Sequence, residues 1–477
     1  MKILFLQKDV FARLAIMLFS TLLKEQGHQC DVLVDDLEKN LVQKALEINP
    51  DIIAFSITTG EYAWMDEIGK QIRQRFKKLL ICGGAHPTFY PDIINEEYLD
   101  VICVGEGEGA IIDLVKALAK GEEIININNL YVKKDGKIYK NNVRPLVEDL
   151  DSNPFPDRKI YDKYAFHRDV RHGVTGKDII ETNRGCPYHC TFCFNKQYHE
   201  IYKGKGKFLR RRSVANVIEE LEQMKSILKK RKFILFNDDI FTLPPKTWVN
   251  QFLDEYREKI NYPFLIQTRA DLIDGKLIKK LKDANCFSIK MSIESGNEYV
   301  RNTILKKNLT NKQIINAANL IKKHGILLQA FNIIGNPGET LEMALETFEF
   351  AKRINPAFAT CALLKPYPGT EIYNYAVENG YLRKKVDFDE WSYSIYTGSQ
   401  LKMKNRKEIM NLQRLFSFGV FLRLPTKLMR ILIKLPFTRL FDLLFGVSYM
   451  WGVTKIHKQR LAIALKVTFS VLAGYVL

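Results

Sequence analysis

Three cysteines in the middle of the chain have the residue type and spacing to carry chemistry. Cys186, Cys190 and Cys193 form a C-x3-C-x2-C array, and thiolates this close together favour zinc, copper(I) or an iron–sulfur cluster. A closed structural zinc site uses four ligands, and the nearest histidines, His189 and His199, fall outside ordinary zinc-finger spacing. Three cysteines on a four-iron cluster instead leave one iron open for a small molecule. The spacing therefore favours a cluster, with a zinc knuckle or three unrelated core thiols as alternatives.

The residues around these cysteines resemble a known cluster loop. The segment Cys186-x3-Cys190-x-Phe192-Cys193 is similar to the loop of the radical S-adenosylmethionine (SAM) enzymes, including the aromatic Phe192 before the last cysteine. The resemblance implies a [4Fe-4S] cluster whose open iron chelates SAM, and an electron donor such as flavodoxin or ferredoxin. It extends from residue 1 to about residue 395 and points to the branch with an N-terminal cobalamin-binding domain.

Composition and charge limit the class of protein. The 477 residues suffice for two or three domains, and 46% apolar with 26% charged residues is ordinary for a globular protein. Eight cysteines, three of them clustered, do not suggest a secreted disulfide framework, so we expect a cytoplasmic protein with reduced thiols. The tail beyond residue 400 carries about two thirds of the net charge of +18. The remainder is only mildly basic, which argues against a nucleic-acid partner.

The first 135 residues alternate between strand and helix patterns. We predict strands at Lys2–Gln7, Cys30–Val34, Asp51–Ser56, Leu79–Cys82 and Val101–Val104, with helical spacing at Phe11–Gln26, Met65–Phe76 and Ala110–Ala119. This order is typical of a doubly wound parallel sheet, whose ligands bind beyond the carboxyl ends of the strands. A dinucleotide fold would need G-x-G-x-x-G after the first strand, and the turn from Gln7 to Arg13 has no glycine.

The glycine-rich turns of this domain instead resemble those of a cobalamin-binding domain. Ser56, Gly83 and Gly84 match the positions that bind the nucleotide tail in that family, and Gly105 and Glu106 match its last glycine-rich turn. Small residues there let a ligand approach the backbone. The widespread cobalt-ligating motif, D-x-H-x-x-G, has no counterpart, because Lys8–Arg13 contains no histidine. His86 is a weaker candidate for the cobalt ligand, since a histidine in a turn is more often structural.

A second run of strands follows a predicted linker over residues 136–171. The predicted strands are Asp178–Thr182, Phe233–Phe236, Phe264–Gln267, Ser288–Ile293, Leu327–Ile334 and Phe358–Leu364. Six strands alternating with helical segments fit the partial (β/α)6 barrel that the resemblance implies for residues 172–397. Chemistry in such barrels lies at the carboxyl ends of the strands.

The resemblance assigns roles to residues at those strand ends. Asp238, with Asp239 as the less certain choice, is expected to accept hydrogen bonds from the SAM ammonium. Arg269 could clamp a carboxylate, although a surface ion pair is its alternative. Glu294 and Ser295 match the ribose-contacting motif, and adenine is expected against the backbone at Ile334 and Gly335.

The function that the resemblance implies is radical chemistry on an unactivated carbon. SAM is cleaved to a 5′-deoxyadenosyl radical, and methylcobalamin then methylates the substrate radical. A C-methyltransferase is therefore expected, with oxidative cyclisation or ring rearrangement as the alternative that the sequence leaves open. A methylthiotransferase, which would use Cys30, Cys82 and Cys103 for a second cluster, and a corrinoid carrier without the cysteine loop are less favoured.

The tail over residues 398–477 matches no family motif. Leu428, Ile431, Leu432 and Leu435 share one helical face of Thr426–Leu435, while Lys427, Arg430 and Lys434 lie on another. A basic amphipathic helix favours peripheral contact with a membrane, and so a lipid-like substrate, over packing onto the barrel. The apolar stretch Leu461–Leu477 is shorter than the roughly 20 residues that span a bilayer.

Overall fold

The computed structural model describes residues 1–9, 11–164, 179–227, 232–382, 396 and 398–458, and these fall into two units. The described residues of the first unit are those up to 164 together with Phe194–Phe208. The second unit contains the described residues from 179 to Cys193 and those from Leu209 onward. The segment directly after Cys193 therefore belongs to the first unit, whereas the three cysteines belong to the second.

The first unit is built on a seven-stranded sheet in the order β2-β1-β3-β4-β5-β6-β7. Its strands are β1 (Lys2–Gln7), β2 (Gln29–Val34), β3 (Ile52–Ser56), β4 (Leu79–Gly83), β5 (Val101–Cys103), β6 (Leu130–Lys134) and β7 (Lys137–Lys140). Its helices are α1 (Leu14–Lys24), α2 (Leu41–Ile48), α3 (Tyr62–Arg75), α4 (Ala85–Phe89), α5 (Glu108–Lys120) and α6 (Asn195–Ile201). The first five strands are parallel, and separate apolar cores include side chains from alternate positions of β1. The predicted doubly wound sheet is confirmed, each predicted strand within one residue.

The hairpin β6–β7 and helix α2 were not among the predicted elements. The strands β6 and β7 are antiparallel and are joined at Asp135 and Gly136, which have φ of 48° and 70°. Positive φ at both central residues defines the tight hairpin turn for which Asp-Gly is the sequence signal. The sheet therefore continues past residue 135, the predicted end of the domain, to Lys140 within the range predicted as linker.

The second unit contains a six-stranded parallel sheet in the order β15-β14-β13-β12-β11-β8. Its strands are β8 (Ile179–Ile180), β11 (Ile234–Phe236), β12 (Phe264–Thr268), β13 (Cys286–Glu294), β14 (Leu327–Ile334) and β15 (Phe358–Leu363), and β9 (Asn183–Arg184) pairs separately with β10 (Arg210–Arg211). The helices up to the tail are α7 (Val214–Ile227), α8 (Lys246–Lys259), α9 (Gly275–Asp283), α10 (Asn311–Lys323), α11 (Leu341–Ile354) and α12 (Glu371–Glu378). Sequential strand order with intervening helices confirms the predicted partial (β/α)6 barrel.

The tail is helical, as predicted, and packs against the second unit. Its helices are α13 (Arg406–Phe421), α14 (Thr426–Leu432) and α15 (Thr438–Ile456). Phe416 of α13 packs edge-on against Phe348 of α11, and Ser417 donates to the carbonyl of Ala359 on β15 at 2.6 Å. Met429 of α14 and the following Ile433 are buried in the core. Of the predicted apolar face, Leu432 and Leu435 pack against that core, whereas Leu428 and Ile431 are exposed. The packed arrangement is therefore the one observed for residues 398–458.

No helix among the described residues is both long and apolar enough to cross a membrane. The apolar stretch Leu461–Leu477 lies outside the described residues.

Candidate active site

The cysteine loop is fixed by the residue that follows Cys190. The backbone N–H of Thr191 donates to the carbonyl of Leu305 at 3.2 Å, and its hydroxyl donates to Ile304 at 2.8 Å. Cys190 is buried, whereas Cys186 and Cys193 are partly exposed. Because Ile304 ends a short π-helical turn after β13, the loop is tied to the middle of the sheet rather than only to β8.

The chemistry of the three thiols fits a cluster. Burial raises the pKa of Cys186 to about 12 and also raises the pKa of Cys190, so metal binding must displace protons from these thiols. No set of three His, Cys, Asp or Glu residues in the described ranges converges to hold a single metal ion. A four-iron cluster does not require such convergence, because each cysteine binds a different iron.

Asp238 binds the backbone of the segment that leads from β8 into the cysteine loop. Its Oδ1 accepts the backbone N–H groups of Thr182 at 2.6 Å and Asn183 at 2.8 Å, and its Oδ2 accepts the Thr182 hydroxyl at 3.0 Å. Burial raises the pKa of this carboxyl to about 7, although the hydrogen bonds oppose that shift. Both carboxylate oxygens of Asp238 therefore bind the segment that precedes the cysteines. Few acceptor positions remain on this side chain for the predicted contact with SAM.

Asp239 lies on the exposed side of the same turn. Its charge acts to raise the pKa of Cys186, after the larger effect of burial. An exposed carboxylate near the first cysteine meets the predicted requirement better than the buried neighbour does. Asp239 is therefore the more accessible of the two predicted carboxylates.

Arg269 is buried at the carboxyl end of β12 and is stacked on the cysteine loop. Its guanidinium lies 3.6 Å from the ring centre of Tyr188, between Cys186 and Cys190, and binds Asp271 through two contacts of 3.1 Å. The Nη1 atom is buried and has no hydrogen-bond partner among the residues that the structure describes. A buried guanidinium with one free donor group fits the predicted role of binding a carboxylate.

Glu294 ends β13 in a conformation that points to a specific role. It has φ of 67°, which is uncommon for a residue with a side chain, and it stands where the register of β13 and β14 shifts. Its Oε1 accepts from the buried Lys307 at 2.9 Å, so Oε2 is the oxygen left for ribose hydroxyls. The side chain of Ser295 instead bonds Thr347 of α11 at 3.0 Å, which makes the predicted contact of Ser295 with SAM a backbone contact at most.

The turn after β14 is shaped by a buried carboxyl. Gly335 has φ of 74°, and Glu339 accepts the backbone N–H of Asn336 at 2.9 Å. Burial raises the pKa of Glu339 to about 7. Ile334 is fully buried and its carbonyl accepts the N–H of Leu364 at 2.9 Å. Gly335 is buried as well, and a Cβ there would lie 2.9 Å from the sulfur of Met403, so neither residue of the predicted adenine contact is exposed.

In the first unit, the predicted cobalamin-binding residues lie at the carboxyl ends of neighbouring strands. Ser56 ends β3 and Gly83 ends β4, and the N–H of Ile57 donates to Gly83 at 3.0 Å. Gly84 has φ of 104°, and a Cβ there would lie 2.5 Å from the carbonyl oxygen of Ile57. The Thr88 hydroxyl donates to Gly84 at 2.7 Å and accepts from Gly105 at 3.1 Å, so the two glycine turns are joined.

The last glycine turn is closed by a tyrosine that the sequence analysis did not identify. The hydroxyl of Tyr202, just after α6, accepts the N–H of Glu106 at 2.7 Å and occupies the space that a Cβ of Gly105 would fill. Phe194 stacks on Phe89 with ring centres 4.2 Å apart. The segment after the cysteines thus packs against the glycine-rich turn and helix α4 of the first unit.

His86 is buried between the rings of Tyr62 and Tyr90. Its Nδ1 lies 3.3 Å from the hydroxyl of Thr59, and burial lowers its pKa to about 4. These contacts are those of a structural histidine, in line with its low rank as a cobalt ligand.

Comparison with known proteins identifies the class. Residues 180–351 match the radical SAM superfamily, and residues 8–115 match the B12 binding domain. An uncharacterised methyltransferase of Pyrococcus horikoshii is 32% identical over 361 residues, covering 74% of this chain and 75% of that protein. The anaerobic magnesium-protoporphyrin IX monomethyl ester cyclase of Rubrivivax gelatinosus is 26% identical over 419 residues, covering 83% and 71%.

Solved structures share the fold. The cobalamin-dependent SAM radical enzyme OxsB, with aqua-cobalamin and SAM bound, has a TM-score of 0.69 at 17% identity and covers 99% of this chain and 75% of its own. The radical SAM methyltransferase TsrM of Kitasatospora setae, with cobalamin and a [4Fe-4S] cluster bound, has a TM-score of 0.65 at 16% identity, covering 81% and 76%. The chain therefore belongs to the radical SAM enzymes that carry a cobalamin-binding domain. This confirms the predicted family, and the predicted cofactors are those held by the related structures.

Proposed function

We propose that this protein is a cobalamin-dependent radical SAM methyltransferase that methylates an unactivated carbon. The observation that carries the proposal is the presence in one chain of two binding edges. One edge holds the three cysteines among buried charges, and the other presents glycine turns at adjacent strand ends. The relative with 32% identity is described as a methyltransferase, which supports the same reaction class.

Each edge has residues suited to its cofactor. Cys186, Cys190 and Cys193 would hold the cluster, with SAM placed by Asp239, Arg269, Glu294 and the backbone at Gly335. Ser56, Gly83, Gly84, Gly105 and Glu106 would border the nucleotide tail of cobalamin. When bound, the cluster and SAM supply radical hydrogen abstraction, and cobalamin supplies methyl transfer. The protein residues orient these groups and keep the charged ones out of bulk water.

The decisive experiment follows the methyl group. The anaerobically reconstituted enzyme is incubated with cell extract and SAM carrying a deuterated methyl, and products are compared by mass spectrometry. A product that gains the labelled methyl together with formation of 5′-deoxyadenosine supports the proposal. Formation of 5′-deoxyadenosine with an unlabelled, cyclised or rearranged product would instead support the second candidate, which the 26% identity to the cyclase favours.

We further propose that the tail docks on a membrane and that the substrate is lipid-like. Of the 11 exposed large apolar residues in the described chain, eight belong to the tail. These eight define the tail apolar surface: Phe421, Leu422, Leu428, Ile431, Phe437, Leu440, Leu443 and Val447. Exposed basic residues, Lys427, Lys434 and Arg439, occur within the same stretch. Apolar side chains beside cations match the interface of an anionic bilayer, where each cation contributes ~1 kcal/mol.

Vesicle co-sedimentation tests this docking. The full chain should sediment with phosphatidylglycerol vesicles at low salt, and less at high salt because the attraction is screened. The double variant Ile431→Asp with Leu440→Asp should lose sedimentation, whereas Tyr299→Asp, at an exposed position elsewhere in the second unit, should not. Equal sedimentation of both variants, or binding that depends only on residues 459–477, would contradict the assigned surface. Removal of the whole tail is unsuitable, because α13 covers β15.

A further inference from the structure

Lys307 is a buried lysine beside the cysteine loop that the predicted site did not include. It lies two residues after Leu305, whose carbonyl accepts the N–H of Thr191, the residue that follows Cys190. The carbonyl of Lys307 itself accepts Nη2 of Arg269 at 3.0 Å, and Arg269 stacks on Tyr188 within the loop. Two independent contacts therefore place the turn of Lys307 against the loop that holds Cys190.

The ammonium of Lys307 remains charged in this interior position. Its side chain is only 8% exposed, and its Nζ donates to Oε1 of Glu294 at 2.9 Å. Burial is the largest influence on the pKa of Lys307 and would lower it, but the charges of Glu294 and Cys190, with the hydrogen bond to Glu294, together raise the pKa. A charge held away from water acts on its neighbours more strongly than a solvated one, because the surrounding medium screens it less.

We propose that Lys307 is a positioning residue that raises the reduction potential of the cluster bound by Cys190. The inference rests on the proposed function only in requiring that cluster. The oxidised cluster takes up one electron and becomes more negative by one charge, with no bond formed or broken. A fixed cation nearby stabilises that added charge, and net charge around a cluster is one of the properties that set its potential.

The negative charge of Glu294 should lower the reduction potential of the cluster, whereas Lys307 should raise it. The direction of the shift in each variant therefore tests the inference. Both charges are buried, and Lys307 belongs to the turn that contacts the loop of Cys190, so water screens neither charge effectively from that loop. Loss of the Lys307 charge should therefore lower the potential and loss of the Glu294 charge should raise it, because a nearby cation stabilises the reduced cluster and a nearby anion destabilises it.

The experiment is a mediated redox titration of the reconstituted full-length enzyme without SAM, with dithionite as reductant and the reduced cluster followed by electron paramagnetic resonance. Lys307→Met should shift the midpoint potential downward, and Lys307→Arg should restore it. Lys306→Met is the matched control, since it removes the same charge one residue away from a side chain that is 52% exposed. Its potential should stay at the wild-type value, because water screens that charge.

Iron and sulfide analysis keeps the two proposals separate. Absence of a cluster in the wild-type protein would overturn the proposed function itself. A normal cluster in Lys307→Met with an unchanged midpoint potential would overturn only the inference. If Lys307→Met fails to retain iron, Lys307→Gln, whose neutral amide can still donate to Glu294, decides: a downward shift supports the inference, and no shift or an upward one overturns it.

Discussion

In each of the two larger sheets of this chain, the predicted binding residues lie at the carboxyl ends of the strands. The kinds of residue found there differ between the two sheets. The edge of the first unit is made of backbone: Gly83 ends β4, Gly84 follows it, and Gly105 comes after β5. The edge of the second unit is made of buried charge, with Asp238, Arg269, Glu294, Lys307 and Glu339 at successive strand ends or the turns after them. We propose that the first edge binds its cofactor through close approach to the backbone and the second through electrostatics.

The difference follows from what each edge must hold. A nucleotide tail is long, so backbone without side chains gives it room and hydrogen-bonding groups. A cluster with SAM is small and highly charged, and charged groups bind it strongly only where water is excluded. Substitutions should therefore act through shape in the first unit and through charge in the second.

The largest expected effect is the loss of a cluster ligand. Cys190→Ala should remove the iron–sulfur absorbance and abolish SAM cleavage, because Cys190 is the most buried of the three thiols and its loss leaves too few ligands. Cys286→Ala, which changes a buried thiol in the core of the same unit, should retain the cluster. Iron content and SAM cleavage, measured after anaerobic reconstitution, check both variants. Retention of a full cluster by Cys190→Ala would contradict the assignment.

Substitutions of Gly83 and Gly84, at the end of β4, should distinguish an effect on folding stability from an effect on cobalamin binding. At Gly84 any side chain is strained at φ of 104° and meets the Ile57 carbonyl, so Gly84→Val should cost about 3–5 kcal/mol of stability even without cofactor. At Gly83 the nearest atom to an added Cβ is 3.8 Å away. Gly83→Ala should thus unfold like wild type without cofactor but bind cobalamin more weakly. Equal cobalamin affinity for Gly83→Ala and wild type would show that the tail does not approach this residue.

The smallest effect expected is a change in pH dependence at Asp238. Its folded-state pKa of about 7 lies above its ordinary 3.8, so the folded chain keeps a proton that the unfolded chain loses. This contribution to stability is complete below about pH 4 and is lost as the pH rises through about 7. Asp238→Asn keeps an oxygen for Thr182 and Asn183 and should remove about 2–3 kcal/mol of the stability difference between pH 5 and pH 8.

The pH dependence of Asp238→Asn is read from denaturant unfolding at several pH values, with Asp239→Asn as the exposed control. Glu339 should retain its own dependence in the same direction, because its pKa is also raised to about 7. An unchanged pH profile in Asp238→Asn would mean that Asp238 is ionised in the folded protein at low pH.

The sequence predicted elements well where the pattern was local. All 11 predicted strands are present, because buried parallel strands appear as short apolar runs. The hairpin β6–β7 was missed although Asp135-Gly136 marks it. The site was predicted less well, since the partners of its charges are distant in sequence. Thr182 meets Asp238, and Thr191 meets Leu305, only after the sheet has formed. Lys307 gave no signal in the sequence, because an adjacent lysine, Lys306, is exposed and looks the same.

The segment Phe194–Phe208 affects the order in which contacts of the first unit can form during synthesis. A ribosome completes the sheet of the first unit at Lys140, but Tyr202, which closes the turn at Glu106, emerges only after all three cysteines. An expressed fragment that ends before residue 194 would thus lack the segment that packs against the Glu106 turn. The first unit can therefore form its contacts at the Glu106 turn only after the cysteine loop has been synthesised.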